Sequence, residues 1–566
     1  MGGFRQAHGA APIRGRRTFN SSLEYIANTT PDRLFSWVPI SEENLDDGFR
    51  QLSFGEFYNS VCAAAHWLDQ SLGKIGDDFA SRQTIAYIGP NDIRYFSLIM
   101  AADRTNRSVS TSEGRPYSTL LLCLPTNTTE AQVRLLKGAN SAAVLSPQSD
   151  TYVWDEVLPQ LPKVRRIVVP ELDFFYAANG PIYPYDRDMV EFWDAAPFLT
   201  QTSGTTGFPK TLPITNASMS ASDMISGDID GSDVPLMEQH APVSGFVRTT
   251  IANFNPSAWA SGVFIGLLGP LFFGSIAVIV PASRPSPPTV EYFQRVRQLV
   301  PSINAAFLTP EGIRQLYSTS GGLDFLASFH TVYFVGAPLD NDIGDALAKV
   351  TRVQNFMGST DAGLYDYFAN ADRKDWAWMH LDLSGPWSLE HCSENLYELV
   401  LQREPERLRG AFHLHPELDV YRTSDLFVQH PDPGKKHLWR PAGRADDFVR
   451  LKSMTTFNAI NIERNIDRSV DIERSVVEGN QRNAPFVILQ PAAHVKYAND
   501  ADVLEAMWPG IESANEHLLP EIQLKKHLAI IAKPDRPLTT TLKGTTQRRK
   551  AIGNYAEEIE ALYKDA

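Results

Sequence analysis

Cysteine is scarce in this chain of 566 residues: Cys62, Cys123 and Cys392 stand far apart. The spacing excludes a disulfide framework and a CxxC-type zinc or dithiol motif, and an odd, sparse count suits a reducing compartment. Basic residues are the minority, 52 against 66 acidic ones, and the net charge of −14 argues against non-specific binding to nucleic acid. A small anion can still be held by a few local cations. Long apolar runs are almost missing. The exception, SGVFIGLLGPLFFGSIAVIVP at 261–281, is uncharged and long enough to span a membrane. Gly269-Pro270 and Gly274-Ser275 interrupt it and no basic flank supports a span, so a buried helix, a break and a buried strand are expected, with no membrane contact. The N-terminal MGGFRQAHGAAPIRGRR lacks the apolar centre of a secretory signal and Gln6 does not fit a myristoylation site, so the expected location is the cytoplasm.

What the sequence does contain is a regular alternation. The length predicts about two to four domains. Short β-rich runs recur at 83–89, 142–147, 165–172, 277–281, 305–310 and 331–339, with helix-like runs such as 54–73 and 290–300 between them. Strand alternating with helix predicts an α/β fold of parallel sheets covered by helices. NLYELVLQ (395–402) and DLFVQH (425–430) read as antiparallel strands. The stretch 102–132 is polar, Ser/Thr-rich and aperiodic, and reads as loop or disorder.

The chemistry begins at TSGTTGFPK (202–210). Glycines let backbone N–H groups approach closely, hydroxyls add donors and a lysine adds charge, which suits a loop around phosphate oxygens. The spacing is not that of a P-loop, because Pro209 precedes Lys210 and Thr211 follows it. Four further stretches follow in order: MGSTDAG (357–363), YRTSDL (421–426), GRADDFVRL (443–451) and TTLKGTTQRRK (540–550). Each alone has an ordinary reading as a helix cap, a turn or a solvated basic tail. Their combination, in this order, calls for a common explanation.

Taken together, these stretches resemble the adenylate-forming superfamily of acyl-CoA synthetases, luciferases and peptide-synthetase adenylation domains. AAHWLDQSLG, IAYIGPNDIRYFSLI and KGTTQRRKAIGNYAEEIEALY carry a narrower likeness to fungal adenylation–thiolation–reductase enzymes. The resemblance implies a disordered N-terminus (1–20), a large AMP-binding domain (21–445) of two helix-covered sheets plus a small β-barrel, and a small mobile α+β domain (446–566). It fails over 102–125. It implies ATP and Mg²⁺ as cofactors, a small carboxylic acid as substrate and a thiol as acceptor. Thr202, Ser203, Gly204, Thr205, Thr206, Gly207 and Lys210 then hold the β- and γ-phosphates. Gly336, Ala337 and Pro338 lie beside adenine and the acyl pocket, and Met357, Gly358 and Ser359 continue that wall. Thr360 and Asp361 match a Thr-Glu pair whose carboxylate holds Mg²⁺. Asp425 matches the acceptor for the ribose hydroxyls, Arg444 an arginine near ribose and phosphate, Asp446 the hinge and Lys543 the catalytic lysine.

Several positions depart from the pattern. Asn255, in FNPSAWASG, stands where amino-acid-activating domains place an aspartate, so the expected acid has no α-amino group. Trp259 in the same stretch suggests a short or flat acyl pocket. Met357 replaces an aromatic residue that often stacks on adenine. Met454 replaces a glycine on a hairpin that a thiol arm must pass, so adenylation is expected to survive better than thiolation. No Asp-Ser carrier attachment motif and no glycine-rich dinucleotide fingerprint is visible, which leaves a carrier protein in trans, free CoA or a truncated chain as readings. A degenerate, non-catalytic homologue is the rival from another class.

Overall fold

The computed structural model describes residues 11–74, 84–107, 119–177, 179–185, 193, 195–202, 210–226, 240, 242–281, 288–370, 372–393, 395–496, 499–540 and 546–564. Two large sheets dominate. One runs in the order β6 (Arg165–Val168), β5 (Ser141–Ser146), β3 (Thr84–Ile88), β4 (Leu120–Cys123), β7 (Phe198–Thr202), β8 (Lys210–Ile214), with only β8 antiparallel to its neighbour. The other runs β13 (Arg352–Asn355), β12 (Thr331–Phe334), β11 (Ile303–Leu308), β9 (Thr250–Asn253), β10 (Ile276–Ile279), β1 (Leu34–Pro39), β2 (Phe49–Ser53), parallel except for β2. The parallel order follows from sequence. TIAYI, LLLC, TIAN and TVYF are buried at every position, as strands covered on both faces must be.

Helices supply that cover. Helix Phe54–Leu72 starts with a capping box between Ser53 and Glu56, and it buries Phe54, Phe57, Tyr58, Val61, Ala65 and Leu68 at helical spacing. Phe57 stacks on Phe35 of β1 with ring centroids 4.0 Å apart. The apolar run at 261–281 resolves as expected. A helix over Ala260–Val263 widens into π-form over Phe264–Phe273, where Pro270 removes a backbone donor, and it ends at Gly274 with φ +66° before β10. Among the described residues no helix is long and apolar enough to cross a membrane.

Beyond β13 the chain turns antiparallel. The short pairs β14 (Gly358–Ser359) with β15 (Gly363–Leu364), and β16 (Tyr367–Phe368) with β17 (His380–Leu381), lead into a four-stranded sheet. This is β18 (Trp387–Ser393), β19 (Leu396–Gln402), β20 (Val420–Gln429) and β21 (Trp439–Arg444). The expected small barrel is therefore incomplete. A single bridge from Trp439 to Met379 continues the sheet, and among the described residues no ladder closes the far edge at β18. A turn at Ala445–Asp447 leads to a smaller α+β unit with the hairpin β22 (Phe448–Arg450) and β23 (Thr456–Asn458). Its three-stranded sheet is β24 (Ile472–Glu478), β25 (Phe486–Pro491) and β26 (Ala529–Ile531).

The expectation of a loop over 102–132 is corrected. Helix Arg94–Arg104 runs into it, β4 crosses it as an internal strand, and helix Thr129–Gly138 begins inside it with Thr128 as its N-cap. Only 108–118 lies outside the described residues. A central strand buried on both faces needs few residues, and LLLC was diluted by its polar surroundings.

Candidate active site

Strands β9, β11, β12 and β13 are parallel neighbours, so their C-terminal ends share one edge, where open α/β sheets bind ligands. Three of the predicted segments leave a strand at that edge. Asn255 lies two residues after β9, Gly336–Pro338 follow β12, and Met357–Asp361 follow β13. Gly336 has φ +93°, in the left-handed region that favours glycine. A Cβ at Gly358 would lie 2.6 Å from the Gly363 carbonyl, so the β14–β15 ladder admits only glycine there. Ser359 Oγ accepts the Ala362 N–H at 3.0 Å, which shapes the turn carrying Thr360 and Asp361.

Asp425 is aimed by a bulge. Thr423, Ser424 and Asp425 together fall opposite Leu399 alone, because β19 pairs Glu398 with Leu426 and Val400 with Arg422. Ser424 takes φ +61°, and Thr423 Oγ1 accepts the Asp425 N–H at 3.0 Å. The Asp425 carboxylate then accepts from Arg444 at 3.1 Å and from the Tyr365 hydroxyl. Burial pushes its pKa above the usual carboxylate range, against the pull of Arg444 and Tyr365.

Asp361 is held by a similar device. Tyr421, four residues before Asp425 on β20, donates its hydroxyl to Asp361 at 3.1 Å. Burial and the adjacent Asp361 raise the Tyr421 phenol, and burial and Asp425 raise that of Tyr365, so both remain donors at neutral pH. Behind them, Arg409 donates to the carbonyls of Ala362 (3.1 Å) and Leu364 (2.9 Å) and to Asp366 (3.1 Å). Tyr365, Tyr421 and Arg409 were not identified from the sequence. Tyr365 follows β15 and Arg409 precedes helix Gly410–Leu414, with no motif to mark either, and Tyr421 opens the YRTSDL stretch, where only Asp425 was singled out.

Of the phosphate-loop prediction, Thr202 and Lys210 are described. They pair across the end of the β7–β8 hairpin, with Lys210 exposed. Ser203, Gly204, Thr205, Thr206 and Gly207 lie outside the described residues, as does Lys543. Thr540 and Thr546, on either side of Lys543, form an antiparallel bridge, and Arg548 makes a 2.8 Å ion pair with buried Glu463. The segment flanking Lys543 is thus fastened to the small unit. Asp446 is exposed in the turn between the two units, where the Asp447 carboxylate accepts the Arg444 N–H at 3.3 Å. Asn458 caps helix Ala459–Ile466 and donates to the Ala442 carbonyl at 2.7 Å. Met454 sits at φ +70° in the β22–β23 turn.

Asn255 is 1% exposed and its side-chain nitrogen has no hydrogen-bond partner among the described residues. Trp259 is partly buried and precedes helix Ala260–Val263. Among the described residues no group of three or more His, Cys, Asp or Glu could hold a metal. Asp361 has no ion-pair partner among them, and its chemistry fits a hard cation shared with phosphate oxygens.

Two helix-covered parallel sheets, a smaller unit after a polar turn, and Asp361 and Asp425 each held by a tyrosine hydroxyl define an adenylate-forming ligase. The chain belongs to the AMP-binding enzyme family, which it matches over residues 23–380, and residues 446–566 match the AMP-binding enzyme C-terminal domain. It is 26% identical to a carboxylic acid reductase of Neurospora crassa, over 98% of this chain and 51% of that protein. It is 28% identical to the adenylate-forming reductase Nps11 of Serpula lacrymans, over 98% of this chain and 50% of that protein. The chain thus spans about half the length of these curated relatives. Its fold is similar to that of the acetoacetyl-CoA synthetase from Streptomyces lividans, with TM-score 0.69 and 14% identity, covering 97% of this chain and 86% of that one. It is also similar to the A-PCP didomain of a carboxylic acid reductase from Segniliparus rugosus in complex with AMP, with TM-score 0.67 and 17% identity, covering 99% and 85%.

Proposed function

We propose that this ligase uses ATP to convert a small carboxylic acid without an α-amino group into its acyl-adenylate, and passes the acyl group to a thiol. The acceptor is a phosphopantetheine arm on a carrier protein in trans or free CoA. The observation that most supports the reading is the Asp425 carboxylate, held on β20 between Arg444 and Tyr365.

In the first step a substrate carboxylate oxygen attacks the α-phosphorus of ATP. A new P–O bond forms, the bond to the β-phosphate bridge breaks, and pyrophosphate leaves with the electron pair. Thr202, Ser203, Gly204, Thr205, Thr206, Gly207 and Lys210 grip the β- and γ-phosphates. Asp425 orients the ribose hydroxyls, with Arg444 between ribose and phosphate, while Gly336–Pro338 and Met357–Ser359 line the adenine. Asp361, beside Thr360, would hold Mg²⁺, which when bound would neutralise charge on the phosphates. Lys543 holds the attacking carboxylate and the α-phosphate together; two anions otherwise repel, and a compact ammonium suits the junction. The small unit then turns about Asp446. In the second step a thiolate sulfur attacks the acyl carbon, the C–O bond to phosphate breaks and AMP leaves.

Asn255 supports the choice of acid. A substrate ammonium placed against its neutral, buried amide would lie unpaired, at a cost of several kcal/mol. ATP–pyrophosphate exchange with matched acids tests this. Deamino acids are expected to be preferred, and a preference for α-amino acids overturns the assignment.

A further inference from the structure

The interior beneath the strand-end edge is filled by the protein's own rings. Register pairs Asn253 with Phe307 and Phe307 with Tyr333, so Phe307 and Tyr333 lie side by side on one face of the second sheet, each one residue short of its strand end. Phe356, directly after β13, packs on Phe307 (ring centroids 5.1 Å) and on Phe264 (4.8 Å). Phe264 belongs to the helix that begins beside Trp259. Phe246 completes the group, 5.2 Å from Tyr333 edge to face and stacked at 6.4 Å over Phe356. All five are buried. Centroids this close are rings in direct contact, so no further ring fits between them.

Phe246 does not come from a helix or strand. It is delivered by a turn in which Gly245 takes φ +79°. The Tyr333 hydroxyl donates to the Ser244 carbonyl at 2.9 Å, and the Arg352 guanidinium donates to Ser244 Oγ. The turn is thereby pinned to β12 and β13, the two strands whose ends form the edge. A ring held from both sides works as a fixed floor.

We infer that Phe246 and Phe356 close the acyl side of the site and restrict this ligase to short aliphatic or keto acids, excluding aryl and long-chain acids. The inference rests on the activity proposed above. Asn255, whose buried amide nitrogen lacks a partner among the described residues, follows β9 at the same strand-end edge, where it can donate to an oxygen of such an acid.

The test is pyrophosphate exchange by the full chain with acetate, propionate, pyruvate, benzoate and octanoate, repeated for Phe246→Ala and Phe356→Leu. Phe356→Leu keeps a buried apolar side chain, and it serves where Phe246→Ala lowers the yield of folded protein. The parent is expected to use the short acids and to exchange poorly with benzoate and octanoate. Each variant is expected to raise the kcat/KM of benzoate relative to propionate by about tenfold or more. A parent that uses benzoate or octanoate as well as propionate overturns the inference, as does a ratio unmoved in both variants. Exchange with none of the acids, while ATP still raises the melting temperature, overturns the proposed activity and this inference with it.

Discussion

Asp425 and Arg444 stand opposite each other in the β20–β21 ladder and are joined at 3.1 Å. The carboxylate is 13% exposed and the guanidinium 44% exposed, so the acid is sheltered while its partner reaches solvent. A half-exposed pair of this kind adds little to stability. Its value lies in direction: the bulge at Ser424 and the Tyr365 hydroxyl leave the acid a single orientation.

Asp425→Asn keeps the size of the side chain and removes its charge. The KM for ATP in pyrophosphate exchange is expected to rise by about ten- to a hundredfold, the loss of a charge-assisted hydrogen bond. Tyr365→Phe is expected to raise it less, because it removes only the donor that orients the acid. An unchanged KM in Asp425→Asn removes this residue from nucleotide binding.

Met454 occupies a left-handed backbone conformation at φ +70°, and its side chain is 63% exposed. The glycine expected at this position has a backbone reason as well as a steric one. Met454→Gly is expected to leave stability unchanged or raise it by up to about 1 kcal/mol, since strain is relieved and little packing is lost. Thiolation is expected to speed up more than adenylation. Chemical denaturation and separate assays of the two half-reactions check both. Equal thiolation in the two proteins would falsify the assignment of this turn to the thiol path.

Glu463 is buried, and burial pushes its pKa up to about 7 despite the Arg548 ion pair. The folded value lies above the ordinary 4.5, so the folded state binds the extra proton between these limits. The stabilising contribution is complete below pH about 4.5 and is lost as pH rises through about 7. The melting temperature is expected to fall across that window in the parent and to fall less in Glu463→Gln. Arg548→Met is expected to extend the fall to higher pH. Parallel slopes in parent and Glu463→Gln remove Glu463 as the cause.

Much of this arrangement was legible in the sequence because the relevant signals are local. Continuous apolar runs such as TIAYI and TVYF gave parallel strands, and GSTD fell at the strand-end edge while TSDL fell inside β20. The left-handed backbone at Gly336 and Met454 was not read from the sequence. Long-range partners were not legible. Tyr421 reaches Asp361 across 60 positions of sequence, and Phe246 enters the interior from a turn with no periodicity. The misreading of 102–132 has the same origin. A four-residue central strand and a Thr128 cap look like loop when their neighbours are Ser and Thr.

In the proposed first step the Lys543 ammonium and the 202–210 loop act on one triphosphate. Pyrophosphate exchange in Lys543→Ala, beside thiolation from supplied acyl-adenylate, tests it most directly. Exchange is expected to fall by about a hundredfold or more while thiolation from the supplied intermediate persists. Exchange at the parent rate in Lys543→Ala would exclude the lysine from the first step.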